Sequence, residues 1–313
     1  MSNIKTTNKF KITTLAEFVM NNKPEMLPIF VQLENCVKII SSRLRVAGLE
    51  NLTGLTGTVN VYGEEVQKLD EFANTLLVEK MSVSQQIAVI LSEELAEPVH
   101  TDYPKAPYYF AMDPIDGSSN IDIALPVGTI FSFYNNTGNI LQKGIDQIAC
   151  GYVMYSNSTI IVLTFGDGVY VFTLDSEVDC FFLTTSRLMI PQSGKIYSIN
   201  EGNYAKYFDQ TKQYLAKIKQ EDYKLRYVGS MVPDIHRTLL KGGIFMYPAD
   251  TKNPTGKLRL LYEINPMSML ITQSGGMSRL ENGIDPLEII PTTHDQTVSV
   301  VIGSNEQVTE YLI

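Results

Sequence analysis

The stretch "YYFAMDPIDGSSNID", residues 108 to 122, constrains this chain more than any other. It runs from an apolar, strand-like segment straight into three aspartates, a proline, a glycine and two serines. Taken alone, DPxDG is also what an ordinary polar turn between two strands looks like, because Pro, Gly, Asp and Ser supply turn geometry. The other reading is a site that needs carboxylates at the end of a buried strand. The rest of the chain has to separate the two.

Composition narrows the partners. With 313 residues, 44% hydrophobic and 19% charged, the chain reads as a globular protein of one large or two medium domains. Its net charge of −9 argues against nonspecific nucleic-acid binding and against an anionic membrane surface. An anionic ligand would have to be held by local cations or metal ions. Cys36, Cys150 and Cys180 are odd in number, far apart and set in apolar segments, so reduced core thiols are expected, not a disulfide frame or a zinc site. The N-terminal "MSNIKTTNKFKITT" lacks an apolar signal core, and no apolar run is long enough to cross a bilayer, so the expected location is the cytoplasm.

Periodicity places the elements. Ile29, Phe30, Leu33, Val37, Ile40 and Leu44 fall at helical spacing over 29–46, with Pro28 near the start and Gly48 past the end. A second helix is expected over 64–80, with Val66, Leu69, Ala73, Leu76 and Leu77 on one stripe. Strand-like runs follow at "IAVIL", "YYFAM", "GTIFSFY", "GYVMY", "TIIVLTF" and "VYVFTL", the last three forming an antiparallel meander. From about residue 195 strands and helices alternate again, and Ser304 with Gln307 reads as a capping box on the last helix. The result is a layered α/β chain dividing near residue 190, into 1–190 and 191–313.

Six acids stand out by their settings. Asp113 and Asp116 follow one buried-looking strand, and Glu93 and Glu94 end another. Asp70 lies on the apolar stripe of its helix, and Glu263 follows "LRLLY". Each alone reads more readily as a solvated or salt-bridged acid, but a carboxylate on an apolar face needs a cation, and six in such settings are hard to explain that way. Mg²⁺ takes oxygen ligands from several chain segments, which is what two strands ending in carboxylate pairs would provide. Gly117, Ser118 and Ser119 then gain a role. If a helix begins after Gly117, its free amides offer a phosphate seat beside the metals. Metals beside an amide-lined anion pocket point to phosphate-ester hydrolysis.

Beyond that loop, "KLDEFAN", "ILSEE", "YSINEGNY", "RYVGSMVPDIHRTLLKGGIFMYP" and "GKLRLLYEINPMSML" stand in one order and spacing. Together with "MDPIDGSSNID" they resemble the class I fructose-1,6-bisphosphatase family, from about residue 14 to the C-terminus. The acids with DPxDG alone would mark only the wider lithium-sensitive sugar and inositol phosphatase superfamily. The resemblance implies a five-layer α/β/α/β/α sandwich of the sugar-phosphatase superfamily. It also implies a cytoplasmic homotetramer of gluconeogenesis that hydrolyses the 1-phosphate of fructose 1,6-bisphosphate, with two or three Mg²⁺ per subunit and Mn²⁺ or Zn²⁺ as alternatives.

Position by position, the resemblance implies Glu93, Asp113, Asp116, Glu263 and the carbonyl of Ile115 as metal ligands. Asp70 and Glu94 would bind a further metal or activate the attacking water, and Glu64 would belong to a mobile loop over about 48–68 that closes on the metals. In that loop Thr53 stands where the family often has an aromatic residue. The distal phosphate would meet Asn200, Tyr204, Tyr227, Tyr247 and Lys257, with Arg226 reaching in from a neighbouring subunit. "NEGNY" leaves open whether Asn203 or Tyr204 makes that contact, and Tyr204 is favoured. Ser230 and Met231 would touch the sugar, and Arg259 would lie between sugar and scissile phosphate. Lys257 and Arg226 also make sense on charge alone, because an acidic chain binding a bisphosphate needs cations at the far end. His236 and Arg237 read as a helix residue and a salt-bridge partner.

Sedoheptulose-1,7-bisphosphatase activity and a non-catalytic scaffold on the same fold are the alternatives. The intact set of acids argues against the scaffold, and Lys257 with Arg226 argues against an inositol monophosphatase. One departure bears on regulation. Members inhibited by AMP hold its phosphate with a glycine-containing loop, a lysine and an arginine. Here the matching positions read "NNKPEMLP", Pro107 and Asn135, while Tyr108 is kept. No AMP inhibition is therefore expected, unless Lys23 or Lys105 takes over.

Overall fold

The structure, a computed structural model, describes residues 12–50, 52–59 and 65–313. Glu64 of the expected loop lies outside the described residues. Helices α1 (Leu15–Asn22) and α2 (Leu27–Val46) come first, then a short antiparallel pair, β1 (Leu55–Val59) and β2 (Glu65–Gln67), then α3 (Lys68–Ser82). The expected 64–80 helix thus starts later: residues 65–67 pair with β1, and Gln67, in extended backbone, is the N-cap. Thr14 and Glu17 form a full capping box on α1.

The next strands are β3 (Ile87–Ser92), β4 (Val99–His100), β5 (Tyr108–Asp116), β6 (Val127–Asn135), β7 (Gln147–Tyr155), β8 (Thr159–Thr164), β9 (Val169–Asp175) and β10 (Cys180–Thr185). They form one sheet in the order β10-β9-β8-β7-β6-β5-β3-β4; β7 to β9 form the expected antiparallel meander, which extends to β5 on one side and β10 on the other. Within this sheet β3 and β5 are the parallel pair. The C-terminal part comprises β11 (Ile196–Ser198), α4 (Asp209–Gln220), β12 (Lys224–Leu225), α5 (Met231–Lys241), β13 (Ile244–Tyr247), β14 (Leu258–Arg259), α6 (Asn265–Gln273), β15 (Met277–Arg279), β16 (Thr297–Val298), β17 (Val300–Gly303) and α7 (Asn305–Leu312). Five of these strands make a second sheet, β12-β11-β13-β17-β15.

Two-residue periodicity explains the layers. Phe131 and Phe133 of β6, Ile161 and Leu163 of β8, and Tyr170 and Phe172 of β9 pack with α1, α2 and α3. The alternate residues Ile130, Val162 and Val171 face the other way, against α5 and α6. Phe245 and Ile302 of the smaller sheet meet the same two helices from the far side. Ile244, Met246 and Val301 point away from them, toward α4 and α7. The order helices, sheet, helices, sheet, helices is the five-layer sandwich, and strands buried on both faces read as continuous apolar runs.

Ser304 is the N-cap of α7, but its side chain does not cap the helix. Its hydroxyl donates to Pro191 O at 2.7 Å and accepts from Gly243 N at 3.1 Å, while Gln307 Oε1 accepts from Gly194 N. The two residues expected to close a helix end instead stitch α7 to the loops beside it. Cys36 and Cys150 are buried free thiols and Cys180 is a half-buried one. Among the described residues no helix is long and apolar enough to cross a membrane.

Candidate active site

Because β3 and β5 run parallel, both deliver their C-terminal ends to the same edge, where ligands bind in α/β sheets. Glu93 N donates to Met112 O at 3.1 Å, extending the pairing one residue past β3. Ser92 Oγ donates to Asn74 Oδ1 and accepts from Glu94 N, which fixes the turn carrying Glu93 and Glu94. On β5 the pairing with β6 slips between Asp113 and Asp116, and the intervening Pro114 O accepts from the Thr129 hydroxyl. Glu263 comes from a π-helical turn, Leu260–Ile264, a distortion frequent at functional sites. Leu261 and Tyr262 of that turn pack with Leu91, Tyr109 and Ala111, seating the carboxylate over β5. Asp113, Asp116 and Glu263 place ligand oxygens within 4.8 Å of one another.

Asp70 joins from the first turn of α3 and is 4% exposed. Its Oδ1 is buried and makes no hydrogen bond, and neither does the buried Oε1 of Gln67 nearby. Burial, followed by repulsion from Glu94 and Glu93, pushes Asp70 well above the ordinary carboxylate range, with the Ser118 hydroxyl pulling it back. Burial and then Glu93, Asp116, Glu263 and Asp70 do the same to Asp113. Glu263 is raised by burial and by Glu93, against a hydrogen bond of 2.5 Å from Arg259 N. Asp116 is raised by burial, opposed by Ser230 and by the amides of Val232 and Met231. Four buried carboxylates cannot all be ionised side by side without a cation, and the Asp70 oxygen that no donor meets suits a metal ligand. An all-oxygen donor set of this kind fits Mg²⁺ or a similar hard divalent ion.

Gly117 turns the chain out of β5 with φ +77° into a six-residue 3₁₀ helix, Ser118–Ile123. A Cβ at Gly117 would stand 2.3 Å from Ser230 Cβ, so the residue must be glycine for a second reason: α5 approaches here. That approach holds Asp116, whose carboxylate accepts from Ser230 Oγ (2.5 Å), Met231 N (3.0 Å) and Val232 N (2.7 Å) at the N-terminus of α5. Asp122 of the 3₁₀ turn accepts from Gly54 N at 2.7 Å, which ties the segment beside Thr53 to the turn.

These elements line one cleft of about 350 Å³. It gathers Asp70, Glu93, Glu94, Asp113, Ile115, Asp116, Gly117, Ser118, Ser119, Tyr227, Ser230, Met231, Tyr247, Lys257, Arg259 and Glu263. Arg259 is 6% exposed, with Nη2 3.7 Å from Glu93 Oε1. Tyr227 is pushed up to about 12 by burial and then by Tyr247. Three expected residues do not line the cleft. Asn200 is exposed and its side chain accepts from Gly202 N. Tyr204 is 41% exposed, with the Lys219 ammonium over its ring. Arg226 is exposed and donates to Leu225 O. Three further residues escape the sequence reasoning. Gln67 and Asp234 line the cleft, and Tyr207 is buried close enough to Tyr227 and Tyr247 that both raise its pKa. Asp234 was legible as a carboxylate between apolar helix residues, whereas nothing in the sequence singles out Gln67. His236 is a half-buried helix residue, its Nδ1 2.8 Å from Tyr152 Oη, and desolvation lowers it to about 4.

The chain matches the sequence model "Fructose-1-6-bisphosphatase, N-terminal domain" over residues 5–186 and "Fructose-1-6-bisphosphatase, C-terminal domain" over residues 190–312. It is 49% identical over 286 residues to fructose-1,6-bisphosphatase class 1 of Persephonella marina, covering 90% of this chain and 89% of that protein. It is 43% identical over 320 residues to fructose-1,6-bisphosphatase isozyme 2 of Mus musculus, covering 96% and 94%. The fold is similar to the crystal structure of Leishmania major fructose-1,6-bisphosphatase in holo form, with TM-score 0.93, 36% identity and coverage of 97% and 98%. With the buried acids, the turn after Gly117, Lys257 and Arg259 in one cleft, the chain belongs to the class I fructose-1,6-bisphosphatase family of phosphoric monoester hydrolases.

Proposed function

We propose that this protein hydrolyses the 1-phosphate of D-fructose 1,6-bisphosphate to fructose 6-phosphate and phosphate, the gluconeogenic reaction, using Mg²⁺. One observation carries the reading: a single cleft holds a crowd of buried carboxylates together with Lys257, Arg259, Tyr227 and Tyr247. Glu93, Asp113, Asp116, Glu263 and the Ile115 carbonyl would hold the cations. When bound, these offset charge on the scissile phosphate and lower the pKa of a water. Leading amides of the turn after Gly117 would cradle the phosphate. Asp70, held above the ordinary range by burial and by Glu94, is suited to accept the proton from the attacking water, with Glu94 beside it. Lys257, Tyr227 and Tyr247 would bind the distal phosphate, and Arg259 would span the two ends.

Arg226 is exposed and outside the cleft, which fits service in a neighbour's site and an assembly of at least a dimer, with the tetramer as the proposed form. The free thiols suit the cytoplasm, and residues 1–190 and 191–313 are proposed as its two domains. Arg226→Ala should raise KM by roughly tenfold to a hundredfold, as for one lost charge-assisted contact. A fully active monomer in light scattering would contradict shared sites.

The chemistry is tested by turnover of fructose 1,6-bisphosphate and sedoheptulose 1,7-bisphosphate side by side with Mg²⁺, the first being preferred. Glu93→Gln should abolish turnover with the thermal melt retained. Activity in a folded Glu93→Gln protein would rule out the site.

A pH dependence arises from the acids. Asp70, Asp113, Asp116 and Glu263 all sit above their ordinary values of 3.8 and 4.5, so the metal-free folded state binds more protons than the unfolded chain. Stability without metal therefore falls as pH rises above that range, and a bound cation restores more of it at higher pH. The difference in Tm between Mg²⁺ and EDTA should be wider at pH 8 than at pH 5. An equal difference at both would mean that these acids do not hold the ion.

AMP should not inhibit. Lys23 is followed by Pro24, which has no amide to offer, in a short 3₁₀ turn, Pro24–Met26. Burial and then the Glu25 carboxylate raise Tyr108, so a negative charge already stands beside the one retained residue. Pro107 and Asn135 flank Tyr108, which pairs with Asn135 across β5 and β6. Two absent charge-assisted contacts weaken AMP by roughly two to four orders of magnitude. Millimolar AMP should leave activity unchanged, and noncompetitive inhibition at micromolar AMP would overturn this.

A further inference from the structure

Residues 226–230 carry Arg226, Tyr227 and Ser230, yet they lie between β12 and α5 without strand or helix of their own. Two side chains of α5 hold this segment. Asp234 is fully buried, and its carboxylate accepts from Val228 N (3.0 and 3.1 Å) and Gly229 N (3.3 Å). Gly229, at φ +87°, makes the turn that brings those amides round. One helical turn on, Arg237 Nη2 donates to Asp234 Oδ1 at 2.6 Å and to Arg226 O at 2.7 Å. The pair therefore grips the backbone on both sides of Tyr227. Taking a carboxylate out of water costs several kcal/mol unless a charge and donors meet it. Here Arg237 meets it, and the same guanidinium fixes the carbonyl of Arg226.

We propose that Asp234 and Arg237 are positioning residues that set distal-phosphate affinity by fixing Arg226 and Tyr227, an inference that rests on the function proposed above. The metal end keeps holds of its own, although the Asp234 carboxylate is near enough to Asp116 to help raise it. Asp116 is held by Met231 N and Val232 N, which belong to the first turn of α5 and stay there when Arg237 is shortened. Loosening the clamp therefore acts on binding and leaves the chemical step in place.

The test uses the full-length Mg²⁺ enzyme with Arg237→Met, Arg237→Lys and Asp234→Asn. Arg237→Met should raise KM for fructose 1,6-bisphosphate roughly tenfold, the size of one lost charge-assisted bond, with kcat within about twofold. Arg237→Lys, which keeps the charge, should recover part of that loss. Fructose 6-phosphate, which retains the distal phosphate, should bind more weakly by the same factor in calorimetry, while inhibition by inorganic phosphate at the metal end is unchanged. If Arg237→Met melts early, Arg237→Lys carries the same comparison, and Asp234→Asn is read by fructose 6-phosphate affinity alone. Unchanged KM and fructose 6-phosphate affinity in folded variants would overturn the proposal, as would a fall in kcat with KM unchanged. A wild-type protein that binds fructose 6-phosphate without hydrolysing the bisphosphate would refute the functional reading alone, and the affinity comparison would still decide the clamp.

Discussion

Repulsion among buried carboxylates is the constraint that the rest of this structure accommodates. Asp113, Asp116 and Glu263 bring oxygens within 4.8 Å of one another, with Asp70 and Glu93 close enough to raise Asp113 further. Two like charges 4 Å apart repel by about 1 kcal/mol in water and by several times that near protein. Side chains free to move would splay apart. Here three of them are tied down by a donor that costs the site no charge: Arg259 N for Glu263, the first amides of α5 for Asp116, the Ser118 hydroxyl for Asp70. These donors carry no charge, and with the Arg259 guanidinium beside Glu93 as the near cation, the acids still leave a net negative field to a metal ion.

That need explains the local irregularities. A regular β5 would have alternated Asp113 and its neighbours across the sheet; the slip at Pro114 lets Asp113 and Asp116 share one side. A regular helix from Leu260 would have placed Glu263 elsewhere on its circumference, and the π-helical turn resets it over β5. Gly117 combines a positive φ with the near contact to Ser230, so the 3₁₀ turn and α5 can meet at Asp116. These features lie where β3 and β5 run parallel amid antiparallel neighbours, the point at which two strand ends converge.

Periodicity and charge setting made most of the fold and the acidic half of the site legible in the sequence. The strands split their residues between two cores, so their apolar runs were unmistakable, and carboxylates at the ends of such runs marked the site before any geometry was known. Boundaries set by competing hydrogen bonds were not legible. Glu65–Gln67 shares the helical apolar spacing of α3, yet β1 offers it a ladder. Ser304 and Gln307 match a capping box, yet Pro191, Gly243 and Gly194 present better-placed partners. In both places a tertiary contact overrides a local pattern. Asp234 shows the opposite case. Its position among apolar helix residues was visible, but which amides it held depended on how the chain folds back at Gly229.

The tyrosines around "NEGNY" show how one turn sends one ring to the surface and another inward. Glu201–Lys206 forms a 3₁₀ turn, with Glu201 accepting from Tyr197 Oη at 2.6 Å and pairing with Lys219. That pairing parks Lys219 above the Tyr204 ring, so Tyr204 is engaged at the surface. Side chains three residues apart eclipse in such a turn, and the residue three beyond Tyr204 is Tyr207. Tyr207 leaves the turn in extended backbone, is 4% exposed, and donates to Asn200 O at 2.7 Å. Its hydroxyl lies near those of Tyr227 and Tyr247, which raise its pKa after burial does. The change of backbone at Tyr207 separates the two tyrosines: Glu201 holds Lys219, Lys219 covers Tyr204 at the surface, and Tyr207 packs inward.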